Sequence, residues 1–425
     1  MATGKVSPAI SARVVPVVSV STTLPAWAPA AGAWTTATTN NLTAVAYTVT
    51  SGSTTADIKD SLESWNGGGA VPPGSTAYPD GALLVHGGGH RAPGFSNAVY
   101  GVDIATRAWV RVAAPYGGPF NGGGAGTYPQ GIYPDGSPVP AHTYFYPIVD
   151  PVNEQFIVTK GVSSYTASTR DSTLGTWHIY NLAAAAWRRG VPHPLNTLHR
   201  SGGRAVWDSR RGCIWVMTCD TSEPVREIVK YSNLTTNNGD GTYGTITRYP
   251  FTDNGGTESD AVFLRHPTDP DQDLIVYGSY GSTFALRAVR IVGGEPTVRI
   301  TLTIGGVPPV VVHRSASLMW SARRNSILYY DNRQPDPTTP GFSFPAGFGR
   351  SLVFELRQPT AGPDAWSTGT WSWQTISNAS QSVIPSQHIT TSGIYSKARL
   401  FAYDDGELIV AATRHDTPAY AFRVP

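Results

Sequence analysis

Hydrophobic and polar positions alternate along this chain in short runs rather than in long helical stripes. Short apolar runs recur, and a turn rich in Asp, Asn, Gly or Pro precedes each of them. Runs of this length, bounded by such turns, are typical of strands buried on both faces. The predicted buried strands are residues 82–86, 155–159, 213–217, 274–277, 327–330 and 408–412.

A second, alternating strand follows each buried run, at residues 98–104, 176–182, 227–232, 284–291, 351–356 and 418–424. Another strand precedes most of the turns. The segments 98–109 and 176–187 align without gaps, which matches Trp109 to Trp187 at the start of a fourth strand. The unit is therefore a four-stranded antiparallel sheet that recurs about every 50 to 80 residues. This radial repetition predicts an all-β protein, a six-bladed β-propeller of four-stranded antiparallel blades.

The last repeat ends at Pro425 after its third strand. A candidate for the missing strand lies near Trp34, in a segment similar in form to the strand that begins near Trp109. We predict that this N-terminal strand closes the last blade. Residues 1–60 then form an arm that includes the closing strand, and residues 61–425 form the propeller.

Composition supports one large β domain over the roughly three domains that 425 residues would suggest. The chain has 45 glycines and 34 prolines, which interrupt helices and form turns. Aromatic residues make up 11% of the chain and charged residues only 14%. Disordered chains show the opposite balance, so the composition predicts a folded chain.

Charge argues against two classes of partner. The 31 basic and 29 acidic residues give a net charge of +2, and the arginines are scattered, so no nucleic-acid partner is predicted. No apolar run is long enough to cross a membrane, and no clear signal peptide is present.

Cys213 and Cys219 fall on one predicted strand, about 20 Å apart, so we expect no disulfide between them.

The first repeat carries Gly87, Gly88 and Gly89 after its buried strand, followed by Tyr100, Asp103, Thr106 and Trp109. This pattern resembles the kelch motif of kelch and galactose-oxidase-type propellers. The second repeat, with Lys160 and Gly161 in place of the glycine pair, resembles it in part. The resemblance implies the propeller fold much more strongly than a function.

An enzyme similar to galactose oxidase would hold copper through tyrosines and histidines, including an adjacent Tyr-His pair, and would crosslink a tyrosine to a cysteine. This chain has no Tyr-His dipeptide, and its two cysteines share one strand segment. No Walker loop, zinc-protease helix motif or nucleophile-elbow motif is present either. We therefore predict no cofactor, no metal and no enzymatic activity.

Two long inserts, residues 113–140 and 332–350, are rich in Gly and Pro and carry aromatic residues that we expect to be exposed. Such loops suit contacts with a protein or glycan partner. The alternative is that they pack on their own propeller. The candidate contact residues are Tyr116, Phe120, Tyr128, Tyr133, Phe342 and Phe344.

Polar side chains recur near the start of the innermost predicted strands, where they would line a central channel: His142, His199, Arg200, His313 and Arg314. One interpretation is a metal or catalytic cluster, with His90, His388 and His415 as further members. The other is a polar ring that hydrates the channel. Histidines on separate blades are often too far apart to share one ion at about 2.1 Å, which favours the ring.

These features predict a non-enzymatic structural or binding propeller in a larger, oligomeric assembly, located in a virion or outside the cell. A bacteriophage tail, nozzle, fibre or head-decoration protein would combine them. Its partners would be other protein subunits and a host-surface glycan. Two alternatives remain: a secreted glycan-binding or galactose-oxidase-like propeller, and a cytoplasmic kelch adaptor.

Overall fold

The fold is known from a computed structural model, which describes part of the chain. The described residues are 22–45, 50–51, 54–55, 66–87, 97–116, 132–138, 143, 145–159, 177–192, 203–217, 227–251, 260–279, 285–306, 316–332, 351–386 and 394–425.

The described residues form an all-β, propeller-like arrangement of four-stranded antiparallel meanders, which we call units 1 to 6. Unit 1 contains β4 (Gly68–Val71), β5 (Ala82–His86), β6 (Val99–Asp103) and β7 (Ala108–Ala113). Unit 2 contains β8 (Ile148–Asp150), β9 (Gln155–Thr159), β10 (Trp177–Asn181) and β11 (Ala186–Gly190). Unit 3 contains β12 (Arg204–Asp208), β13 (Cys213–Met217), β14 (Glu227–Asn237) and β15 (Thr242–Pro250).

The second half of the chain repeats this order. Unit 4 contains β16 (Ala261–Leu264), β17 (Asp273–Ser279), β18 (Ala285–Val292) and β19 (Glu295–Thr301). Unit 5 contains β21 (Ser317–Ser321), β22 (Ser326–Tyr330), β23 (Val353–Arg357) and β24 (Thr370–Thr375), with β20 (Thr303–Gly305) added at its edge. Unit 6 contains β25 (Ala398–Tyr403), β26 (Gly406–Ala411), β27 (Tyr420–Arg423) and β1 (Trp34–Thr36).

The remaining elements are short. A small hairpin is formed by β2 (Thr50–Ser51) and β3 (Thr54–Thr55). Within the residues that the structure describes, three 3-10 helices occupy Leu42–Val45, Pro270–Gln272 and Pro363–Ala365.

The prediction of six separate four-stranded sheets is met only in part. Units 2 and 3 form one eight-stranded sheet, because β11 pairs in parallel with β15 through Arg189↔Thr242 and Gly190↔Tyr243. Unit 5 has five strands, because β20 pairs in parallel with β24. Both departures lie at the outer edge of a unit: β11 meets the outer strand of the next unit, and β20, in the segment between units 4 and 5, meets the outer strand of unit 5. Each pairing satisfies hydrogen bonds of an otherwise open sheet edge.

The expected N-terminal closing strand is present. β1 pairs antiparallel with β27, with Trp34 opposite Phe422. The Trp34 ring is buried, lies against the rings of Tyr330 and Phe422, and its Nε1 donates to Ser351 O at 2.8 Å. The arm thus contributes a core side chain to the junction of units 5 and 6.

The predicted buried strands are the second strands of the six units. β5, β9 and β13 have the predicted bounds, and β17, β22 and β26 begin or end one or two residues away. Their side chains fill an apolar cluster between each pair of neighbouring units. Burial at about 25 cal/mol per Å² of apolar surface is the main force that holds the units together.

The two ends of the arrangement differ. At one end, which we call the hairpin end, a turn joins the first and second strands of each unit, and in units 1 to 5 another turn joins the third and fourth strands. At the other end, the loop end, the second strand connects to the third and each unit connects to the next. Three of the longest connections between these strands, residues 114–147, 331–352 and 376–397, all belong to the loop end.

Candidate functional site

The first strands of the six units contact one another in a closed circle around the central axis. At their loop end, a circuit of hydrogen bonds joins each unit to the next. Its members are Gly67 N to Thr143 Oγ1 (units 1 and 2, 3.1 Å), Ala205 N to Phe145 O (2 and 3, 3.1 Å), Arg204 Nη1 to Gly278 O (3 and 4, 2.8 Å), Leu318 N to Asp260 Oδ2 (4 and 5, 3.0 Å), Ala398 N to Ser317 Oγ (5 and 6, 3.3 Å) and Lys397 Nζ to Asn66 O (6 and 1, 2.7 Å). We call these residues the axial ring.

Unit 6 supplies two cations at this level: Lys397 of the axial ring, and Arg399, which bonds to unit 1 and to Asp260 and which we include in the ring. Lys397 is fully buried, and its ammonium also lies 5.7 Å from the centroid of the Tyr395 ring. Arg399 donates from Nε to Gly68 O at 2.9 Å. Buried cations are stable only where carbonyls, carboxylates or aromatic faces replace water, and the ring provides all three.

Asp260, just before β16, is the carboxylate of the ring. It accepts hydrogen bonds from Ala261 N at 2.9 Å, from Leu318 N at 3.0 Å and from Arg399 Nη1 at 3.0 Å. Burial raises the pKa of Asp260, and the charge of Arg399 and the two backbone donors oppose that rise. The ionised carboxylate therefore depends on its contacts with units 5 and 6.

Arg204, at the start of β12, is also fully buried. Besides its bond to Gly278 O, its guanidinium lies 4.8 Å from the centroid of the Tyr277 ring. Planar guanidinium groups stack well on aromatic faces, so this side chain fits the strand that it meets in unit 4.

Two buried aromatic side chains contact each other beside the axial ring. Phe145 precedes β8 of unit 2 and Tyr395 precedes β25 of unit 6, and their ring centroids lie 5.2 Å apart. Tyr395 and the next residue, Ser396, both have positive φ angles, 42° and 62°, and both are buried. Left-handed backbone at two successive residues that are not glycine is strained, and the surrounding packing maintains it.

The predicted contact aromatics divide into two sets. Tyr116 and Tyr133 stack on each other, with centroids 4.4 Å apart. The expectation that Tyr133 is exposed is wrong: it is 2% exposed, because its ring packs against Tyr116. Four more lie outside the described residues: Phe120, Tyr128, Phe342 and Phe344.

Most of the predicted channel residues also lie outside the described residues: His142, His199, Arg200, His313 and Arg314, together with His90 and His388. Thr143, next to His142, is buried and belongs to the axial ring. His415 is described, and its backbone oxygen accepts a bond from Thr43. Cys213 is buried, which raises the pKa of its thiol to about 12, and Cys219 is outside the described part.

Sequence reasoning missed the charged members of the axial ring, Arg204, Asp260, Lys397 and Arg399. A signal was present, because each lies within two residues of the start of an inner strand. The search for recurring histidines passed over them, since they share a position in the unit without sharing a residue type.

A separate groove of about 640 Å³ lies at the hairpin end, between arm residues 22–26 and the hairpin of unit 1. Hydroxyl side chains and Asp80 line it. Within the described residues, no three His, Cys, Asp or Glu side chains come together to hold a metal ion. The described part also contains no helix long and apolar enough to cross a membrane.

No protein family model matches the chain, and no curated protein matches it. Several solved structures are similar at low identity. A protein of unknown function from Dyadobacter fermentans is 11% identical, with 88% of this chain and 96% of that chain covered and a TM-score of 0.43. The major allergen Mala s 1 of Malassezia sympodialis is 11% identical, with 77% and 86% covered and a TM-score of 0.34. TolB from Acinetobacter baumannii is 10% identical, with 72% and 65% covered and a TM-score of 0.33.

Proposed function

We propose that the chain is a six-bladed propeller that binds other molecules through its loop end and acts as a structural, non-enzymatic component of a larger assembly. One observation carries this proposal: the axial ring joins six units into a closed base, and three of the longest connections leave it at one end. Loops carried on a rigid scaffold are where binding residues concentrate.

The count of six blades rests on closure. Each unit bonds to the next through the axial ring, the sixth returns to the first through Lys397, and an apolar cluster separates every neighbouring pair. The eight-stranded sheet is then two blades whose outer strands pair.

A kelch-type repeat is the best description of unit 1. Asp103 accepts bonds from Ala105 N at 3.0 Å and from the Thr106 hydroxyl at 2.8 Å, which fixes the turn into β7. Tyr100 and Trp109 are both buried beside this turn. These residues match the motif in position and build the hairpin, so they support a shared fold rather than a shared activity.

A structural role suits the chemistry of the axial ring. Its charged groups, Arg204, Asp260, Lys397 and Arg399, each bond across a unit boundary. Side chains held in this way keep neighbouring units in fixed positions. Recognition therefore falls to the loop end above the ring, where the inserts supply aromatic residues.

Among assemblies, we propose a bacteriophage virion, with other subunits and a host-surface glycan as partners. Few charged residues and long aromatic inserts support this choice. The test is mass spectrometry and cryo-microscopy of purified particles from the source of the sequence. We expect the chain at a fixed stoichiometry, and its absence from every particle would remove the virion proposal.

The binding end is tested separately with the isolated full chain on a glycan array and on host cells. We expect binding to be lost when residues 117–131 are replaced by a Gly-Ser linker. The same linker inserted after Gly239, in the β14–β15 turn at the hairpin end, is the control and leaves binding intact. Equal loss in both variants, or turnover of a bound glycan, would contradict a non-enzymatic site at the loop end.

A further inference from the structure

Units 2 and 3 are joined by backbone hydrogen bonds at both their outer and their inner strands. At the rim, β11 pairs with β15, and Val191 N extends the pairing with a 2.8 Å bond to Tyr243 O. At the axis, Ala205 N donates to Phe145 O at 3.1 Å. The two units therefore form a sheet that almost closes on itself.

Side-chain packing inside this pair matches its backbone pairing. The rings of Trp177 from unit 2 and Tyr231 from unit 3 contact each other in the shared core. Gly190, at the rim pairing, fits only as glycine, because a Cβ there would lie 2.5 Å from Trp177 Cβ. The rim contact thus depends on the same tryptophan that fills the core.

The boundary with unit 4 is different in kind. Arg210 Nε lies 2.9 Å from Asp273 Oδ2, and Arg211 Nη1 lies 2.8 Å from the same atom. Arg211 Nη2 also donates to Pro270 O at 2.9 Å. The described outer strands β15 and β19 do not pair with each other. Charged side chains, rather than a strand ladder, tie this boundary at the hairpin end.

The boundary with unit 1 also depends on side chains. Glu154 accepts bonds from the Ser75 hydroxyl, at 2.9 Å, and from Thr76 N. The Tyr180 hydroxyl donates to Val112 O at 2.9 Å. The described strands β7 and β11 belong to different sheets. Both borders of the unit 2–3 pair therefore lack the backbone ladder that joins units 2 and 3 to each other.

We propose that units 2 and 3, from β8 to β15, open from the rest of the ring as one cooperative body, and that the contact of Arg210 and Arg211 with Asp273 is the latch. Proteins open locally in roughly contiguous cooperative units, which often coincide with supersecondary motifs. Such opening would remove two of the six units from the closed circle of inner strands in one step. The inference is independent of the proposed function.

Native-state hydrogen exchange followed by mass spectrometry tests the proposal in the unmodified chain. Peptides from β9, β10, β13 and β14 should share one opening free energy, lower than that of global unfolding. Asp273→Asn should speed exchange by the same factor, about tenfold or more, in all of these peptides and at the β11–β15 rim, because they open together. It should leave β22 and β26, in units 5 and 6, unchanged.

The charge control is Asp416→Asn, which breaks the exposed Arg414–Asp416 pair in unit 6 and should leave every peptide unchanged. Different opening free energies for units 2 and 3 in the unmodified chain would overturn the proposal without any variant. In Asp273→Asn, faster exchange in β13 alone, with unit 2 and the β11–β15 rim unchanged, would also overturn it.

Discussion

Arg399 Nη1 lies 3.0 Å from Asp260 Oδ2, which joins unit 6 to unit 4 although unit 5 stands between them. Both side chains are nearly buried. Removing one partner of a buried pair leaves the other charge without compensation. Asp260→Asn should therefore lower the free energy of unfolding by about 3 kcal/mol or more, measured by denaturant titration. Asp416→Asn, at an exposed pair, should change it by less than about 1 kcal/mol, and equal effects would contradict a special axial role.

The closing strand should be essential to stability. Trp34→Ala removes a buried ring that contacts Tyr330 and Phe422, so we expect a loss of about 3 to 5 kcal/mol in the free energy of unfolding. Trp27, which lies in the same arm but is only half-buried beside Arg107, is the matched control. Trp27→Ala should have a clearly smaller effect in the same thermal or denaturant measurement. A larger effect at Trp27 would indicate that the arm's main anchor lies outside β1.

Gln381 clamps the closing strand with both atoms of its amide. Its Oε1 accepts from Trp34 N at 3.0 Å, and its Nε2 donates to Gly32 O at 2.9 Å. A carboxylate cannot donate, so Gln381→Glu should lower the free energy of unfolding by about 1 to 2 kcal/mol. Gln358 only accepts, from Trp366 Nε1 at 2.8 Å, so Gln358→Glu should have little effect. Similar losses in the two variants would argue against the clamp.

His86 should make stability depend on pH. Burial lowers its pKa to about 4, and its Nδ1 donates to Ala98 O at 3.1 Å. The folded-state pKa lies below the unfolded value of 6.5, so the contribution is complete above pH 6.5 and is lost as the pH falls toward 4.

The loss should amount to about 3 kcal/mol at pH 4 relative to pH 7. It is measured as the difference in unfolding free energy between the unmodified chain and His86→Leu. If that difference is the same at both pH values, His86 is not the titrating group.

The β10–β11 turn offers a stabilising change. Ala185 has a positive φ of 50° and is exposed, and glycine adopts such angles without strain. Ala185→Gly should therefore raise the melting temperature, by an amount that corresponds to about 0.5 to 1 kcal/mol. Ala183→Gly, at an exposed position with negative φ in the same turn, should lower it. A fall in both variants would mean that unfolded-chain entropy outweighs the strain at Ala185.

The sequence predicted the repeating unit well because burial and turn chemistry are local. Six apolar runs bounded by Asp, Asn, Gly and Pro located the second strand of each of the six units. The Trp34 segment was recognisable because it is similar in form to the Trp109 segment. The merging of units 2 and 3 was not predictable in this way. It depends on a rim contact between Gly190 and Tyr243, which are distant in sequence and share no pattern.

The candidate site was harder to predict for a related reason. The axial ring uses a hydroxyl in unit 2, a guanidinium in unit 3, a carboxylate in unit 4 and an ammonium in unit 6. The closed circle of inner strands requires a hydrogen bond between each pair of neighbours, but different residue types can supply the donor and the acceptor. A repeat can thus keep its contacts while its residues diverge, and residue-type recurrence does not detect it.

The pairing of β1 with β27 has a consequence for synthesis. The strand containing Trp34 leaves the ribosome long before its partner strand, which contains Phe422. Domains generally begin to fold from the N-terminal side during synthesis. Until β27 emerges, the early strand has no ladder to join, and unit 6 keeps an exposed edge. The ring therefore closes only after all six units have been made, and a chain that stops before β27 stays open.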